Sequence, residues 1–100
     1  MKKAKNQVTL TGRISSVGEE KALPSGDKVV SFRIVVPREE GGVDTIDCAA
    51  WTALLRRKVV GMVESEAQVV GQLRRRFWQS PGGLASRYEV EVDSLERTKA

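Results

Sequence analysis

The sequence predicts an all-β domain of five strands, with one short helix between the third and the fourth. Three observations predict it. Apolar and polar residues alternate through most of the chain, the period of half-buried strands. Pro and Gly interrupt that alternation at turn spacing, and a single stretch near the middle changes to the helical period. At 100 residues the chain is expected to be one domain with one modest core, spanning about residues 6–95 behind a basic segment at 1–5.

The first strand covers Val8 to Ile14, where Val8, Leu10, Gly12 and Ile14 share one face and Thr9, Thr11 and Arg13 the other. Gly12 suggests a bulge or bend. Leu23-Pro24-Ser25-Gly26-Asp27 has the spacing of a tight turn and predicts a hairpin. The return strand, about Lys28 to Val36, alternates Val30, Phe32, Ile34 and Val36 with Val29, Ser31, Arg33 and Val35. A short polar loop, Pro37 to Gly42, leads to the third strand, Val43 to Trp51. There Ile46, Cys48 and Ala50 are expected inward, and Thr45, Asp47, Ala49 and Trp51 outward.

From Ala53 to Val63, the residues Leu55, Val59, Met62 and Val63 fall on one helical stripe apart from Arg56, Arg57 and Lys58. Gly61 predicts a short helix. The fourth strand covers about Ala67 to Trp78. Ser80-Pro81-Gly82-Gly83 turns the chain, in a loop extending toward Ser86, and the fifth strand, Arg87 to Asp93, alternates Tyr88, Val90 and Val92 with charged residues. This order is the layout of the OB-fold, a five-stranded Greek-key barrel whose open face binds oligonucleotides. Strand order is not visible in sequence, so a split sandwich and an SH3-like barrel stand as alternatives.

The composition excludes several functions. Histidine is absent and Cys48 is the sole cysteine, so His-based catalysis, His metal ligation, an intrachain disulfide and a thiolate zinc site are ruled out. Neither a GxxxxGK loop nor a GxGxxG turn is present. Asp44 with Asp47, or Glu89 with Glu91, has the chemistry to hold a divalent ion, but alternating acids on a strand are more simply a solvated face. No cofactor, metal or enzymatic activity is expected. Without a secretory h-region or a membrane-length apolar run, the expected setting is a reducing cytoplasm, with no membrane or small-molecule partner. Cys48 is expected to be a small buried apolar residue. The net charge of +4 and pI near 9.6 favour a polyanionic partner.

The most informative segment is Gly71-Gln72-Leu73-Arg74-Arg75-Arg76-Phe77-Trp78. Strand parity turns Gln72, Arg74, Arg76 and Trp78 to one side and Leu73, Arg75 and Phe77 to the other. Guanidinium groups beside a large ring suit a phosphodiester chain with unpaired bases, which needs cations for phosphate and π-surfaces for stacking. By the same parity Phe77 and Tyr88 are expected in the core or an interface. Arg75 fits the inward side only if the strand leaves the barrel as an extended arm.

Asp44-Thr45-Ile46-Asp47-Cys48-Ala49-Ala50-Trp51 and Gly71-Gln72-Leu73-Arg74 through Phe77-Trp78 resemble the bacterial single-stranded-DNA-binding protein family. Asn6-Gln7-Val8-Thr9-Leu10-Thr11-Gly12-Arg13, Leu23-Pro24-Ser25-Gly26 and Ser31-Phe32-Arg33 are similar to it as well, over about residues 6–93. The resemblance implies an OB-fold and a homo-oligomer, tetramer or dimer. It also implies binding of single-stranded DNA without sequence preference, in replication, repair or recombination at the nucleoid. It places Trp51 and Trp78 on base-stacking positions and Arg74 and Arg76 on cationic positions beside the second ring. Arg13 and Arg33 share the outward face and are expected to track the backbone.

The chain departs from the family pattern in three places. Thr45 stands where the family has an aromatic, and the loop Arg38 to Gly42 lacks another. The linker and acidic tip usual in the family are not among these residues, so a short paralogue is expected. Two other functions share these features: an OB-fold protein-interaction adaptor and an RNA-binding OB domain. Pull-down of a hetero-complex and competition between oligo-dT and oligo-U separate them.

Overall fold

The computed structural model describes residues 3–98. Its elements are β1 (Val8–Val17), β2 (Lys21–Ala22), β3 (Lys28–Pro37), β4 (Val43–Ala50), α1 (Ala53–Val60), β5 (Glu66–Ser80) and β6 (Gly83–Arg97). Five of the strands close a barrel in the order β1-β5-β6-β4-β3, and β3 pairs back to β1. The helix sits between the third and fourth barrel strands, as the sequence predicts. The extra strand β2 pairs only Lys21 with Val29 and Ala22 with Lys28. Two exposed residues carry no alternation, so the sequence gives no sign of it. The basic segment expected at 1–5 lies partly outside the described residues, as does Ala100.

The long strand β1 makes closure possible by serving two neighbours. Val8 to Arg13 pair antiparallel with Gly71 to Glu66 of β5, and Arg13 to Val17 pair with Val35 to Phe32 of β3. The register shifts between Ile14 and Ser16, which bends the strand around the corner. Gly12 is not itself the bulge. A Cβ there would lie 2.1 Å from the Val35 carbonyl oxygen, so glycine lets two backbones meet at the seam. Gly71 does the same against Glu91, where a Cβ would come within 2.2 Å of the carbonyl oxygen. The last seam is a short parallel contact, Cys48 beside Val90 and Ala49 beside Glu91.

Inside, Ile14, Phe32, Ile34, Cys48, Val69, Val90 and Leu95 are almost wholly buried, with Leu55, Val59 and Met62 packed into the same core. Each core Leu, Ile or Phe removed from water contributes about 1.5–3 kcal/mol. The α1 N-terminus is capped by Thr52, whose Oγ1 accepts from the Leu55 amide at 3.2 Å. The helix ends at Gly61, and Val63, expected on its apolar stripe, is instead exposed beyond it. The turn Leu23 to Asp27 forms as expected: the Leu23 amide donates to the Asp27 carbonyl at 2.8 Å, and Gly26 takes φ of 95°. Cys48 is buried as expected, and burial, with help from the Asp47 and Glu89 charges, pushes its thiol up to about 12. Ala49, expected outward, is nevertheless buried, in register between Ser31 of β3 and Glu91 of β6.

Candidate nucleic-acid interface

The β5–β6 hairpin is longer than the barrel needs. Its strands pair from Ala67 with Arg97 out to Ser80 with Gly83, around the turn Pro81-Gly82. Gly83 supplies the φ of 120° that the turn requires, and the Ser80 hydroxyl donates to its carbonyl at 2.7 Å. Strand β1 covers the other edge of β5 only as far as Val8 with Gly71. Asn6 extends that cover to Leu73 through its side chain: Nδ2 donates to the Leu73 carbonyl at 2.8 Å, and Oδ1 accepts from the Leu73 N–H at 2.9 Å. Among the described residues nothing pairs with the edge of β5 beyond Leu73, and the hairpin projects as a two-stranded arm. The arm accounts for Arg75 at a position of inward parity. It also corrects the core expectation for Tyr88 and Phe77, which are 57% and 58% exposed because no barrel lies behind them.

On one face of the arm the register sets Arg74 opposite Glu89, Arg76 opposite Arg87 and Trp78 opposite Ala85. A cleft of about 620 Å³ lies between this face and the barrel, lined among others by Trp51, Arg76, Phe77, Trp78, Arg87 and Glu89. Trp51 follows β4 directly and is half-buried, and the Arg76 guanidinium sits 5.3 Å from its ring centre. Arg56 donates to the Trp51 carbonyl and ties the end of β4 to α1. The Trp51 indole N–H is buried with no protein acceptor. Trp78 is 44% exposed at the opposite wall.

The expected site residues are thus partly brought together. Trp51, Arg76 and Trp78 line one cleft, and Arg74 stands beside Arg76 on the same face. Arg33 shares its strand face with Ser31, which also lines the cleft, but Arg33 itself lies outside it. Arg13 stands apart at the β1–β3 seam. Arg87 was not singled out from the sequence, yet it faces Arg76 across the hairpin.

All four expected arginines carry a carboxylate partner. Arg13 makes two bonds to Glu64, at 2.8 and 2.9 Å, and Arg33 bonds Asp47 at 3.0 Å. Arg74 lies 3.5 Å from Glu91, and Arg76 bridges Glu89 at 3.1 Å and Glu91 at 3.0 Å. Glu89 has only 7% of its side chain exposed and also lies 3.7 Å from Arg87. Glu89 and Glu91 of β6, expected on a solvated face, are therefore the counter-ions of this arm. The pairs of Arg13 and Arg33 are well exposed and worth little. The Arg76–Glu89 pair is more enclosed and fixes Arg76 over Trp51. In the short loop after β3, a hydrogen bond from Arg38 holds the Asp44 carboxyl below its ordinary range.

Fold and site together define an OB-fold barrel with a cationic and aromatic arm. A model of the single-strand binding protein family matches residues 5–98, and the chain belongs to that family. Among solved structures, Plasmodium falciparum SSB in complex with ssDNA is similar in fold, with a TM-score of 0.79 at 19% identity, covering 99% of each chain. Among curated proteins, no sequence matches this chain.

Proposed function

We propose that this chain is a single, non-catalytic OB-fold domain that binds single-stranded DNA without sequence preference. Unpaired bases stack on Trp51 and Trp78, each worth about 1–3 kcal/mol per engaged base. Phosphates lie against Arg74 and Arg76 on the arm and against Arg33 and Arg13 on the barrel, each exchanging a carboxylate partner for a phosphate. The observation that supports this reading is a cleft lined by Trp51, Arg76 and Trp78 in a member of the single-strand binding family. Family membership also supports a homo-oligomer, and service in replication, repair or recombination in the cytoplasm.

Titration with oligo-dT, followed by tryptophan fluorescence, tests the reading. Quenching that saturates, and that duplex DNA competes for poorly, is the expected result. Duplex binding as tight as single-strand binding would overturn it.

A further inference from the structure

The other face of the arm holds Leu73, Arg75 and Phe77 on β5, and Leu84, Ser86 and Tyr88 on β6, with Arg75 directly opposite Tyr88. Its large apolar groups are all exposed. The Arg75 guanidinium lies 5.0 Å from the Phe77 ring centre and 5.4 Å from that of Tyr88. It donates to the Ser86 hydroxyl at 3.1 Å. Among the described residues no carboxylate pairs with it, whereas Arg74 and Arg76 both have one. This face of the arm carries no acidic residue at all.

We infer that this face is a second binding surface for single-stranded nucleic acid, resting on the function proposed above. Unpaired bases stack on Phe77 and Tyr88, and Arg75 takes a phosphate. The chemistry suits it: two exposed rings and, resting between them, one cation without a carboxylate partner among the described residues. A second copy of the chain fits the face poorly. A two-fold contact sets the same patch against itself, which would bury two Arg75 side chains together with no carboxylate to receive either. A polyanion brings the missing charge. The β5 edge beyond Leu73, unpaired among the described residues, lets one strand pass from Trp78 around the arm to Phe77.

The test measures oligo-dT affinity by anisotropy for the wild type, Trp78→Ala, the double variant Phe77→Ala/Tyr88→Ala, and Arg75→Gln. Light scattering gives the mass of each free protein. The double variant is expected to lose about tenfold in affinity at unchanged mass, in keeping with loss of base stacking. Arg75→Gln is expected to lower the magnitude of the log–log salt slope by about 0.7, one single-strand phosphate. This second variant leaves the rings in place and decides the question if the double variant folds poorly. Wild-type affinity and slope in these variants, with Trp78→Ala weakened, would overturn this inference and leave the proposed function standing. A change in free-protein mass with affinity per chain retained would make the face a contact between copies, and also overturn it. Failure of the wild type to bind oligo-dT would overturn both.

Discussion

The two faces of the β5–β6 arm have the same ingredients but differ in how their arginines are partnered. On the Trp78 face, Arg74, Arg76 and Arg87 are drawn to Glu89 and Glu91, so the face is ordered in advance but largely neutralised. On the Phe77 face, Arg75 rests on two aromatic rings and has no carboxylate partner among the described residues. The comparison teaches that a run of arginines does not translate into a count of phosphate contacts. What matters is how many of those charges the fold has already spent on its own carboxylates.

The largest disruption should come from Gly71→Ala, because its Cβ would fall 2.2 Å from the Glu91 carbonyl oxygen where the arm leaves the barrel. A clash with backbone has no flexible group to absorb it, and a loss of more than about 2 kcal/mol is expected in denaturant unfolding. Both faces should weaken together. Next, Trp78→Ala should reduce oligo-dT affinity about tenfold or more with the fold intact, and Trp51→Ala should do likewise. Equal weakening of double-strand binding would break the assignment of these rings to unpaired bases.

Smaller effects should run in the opposite direction. Glu91→Gln removes the carboxylate shared by Arg74 and Arg76, so affinity should rise a few-fold and the salt slope should steepen. Glu89→Gln should gain less, because Glu89 also positions Arg76 over Trp51. A fall in affinity for Glu91→Gln would show that the carboxylate orders the face more than it competes with phosphate. Smallest of all, Arg13→Gln and Arg33→Gln should each flatten the slope by about 0.7, measured by titration across salt concentrations.

Much of this was legible in the sequence, and each failure has its own physical cause. Alternation located the barrel strands, and parity put Arg74, Arg76 and Trp78 on one face. The Tyr88, Val90, Val92 alternation runs unbroken from arm to barrel, so it cannot mark where the barrel stops backing the strand; Tyr88 was misplaced for that reason. The ion pairs were hidden by the turn. With the loop extended toward Ser86, the partners of β5 are undefined. Once the reversal is confined to Pro81-Gly82, the register sets Arg74 against Glu89, Arg76 against Arg87 and Arg75 against Tyr88. Gly12 was recognised as exceptional, but close approach of the Val35 backbone is a tertiary fact that no local pattern carries.

The most direct test of the central claim, that single-stranded DNA engages this arm, is photocrosslinking of oligo-dT carrying 5-iododeoxyuridine, with adducts located by mass spectrometry. The structure predicts adducts at Trp51 and Trp78 in the cleft, and at Phe77 or Tyr88 on the opposite face. Adducts that avoid the arm altogether, in a protein that binds the oligonucleotide, would contradict the account.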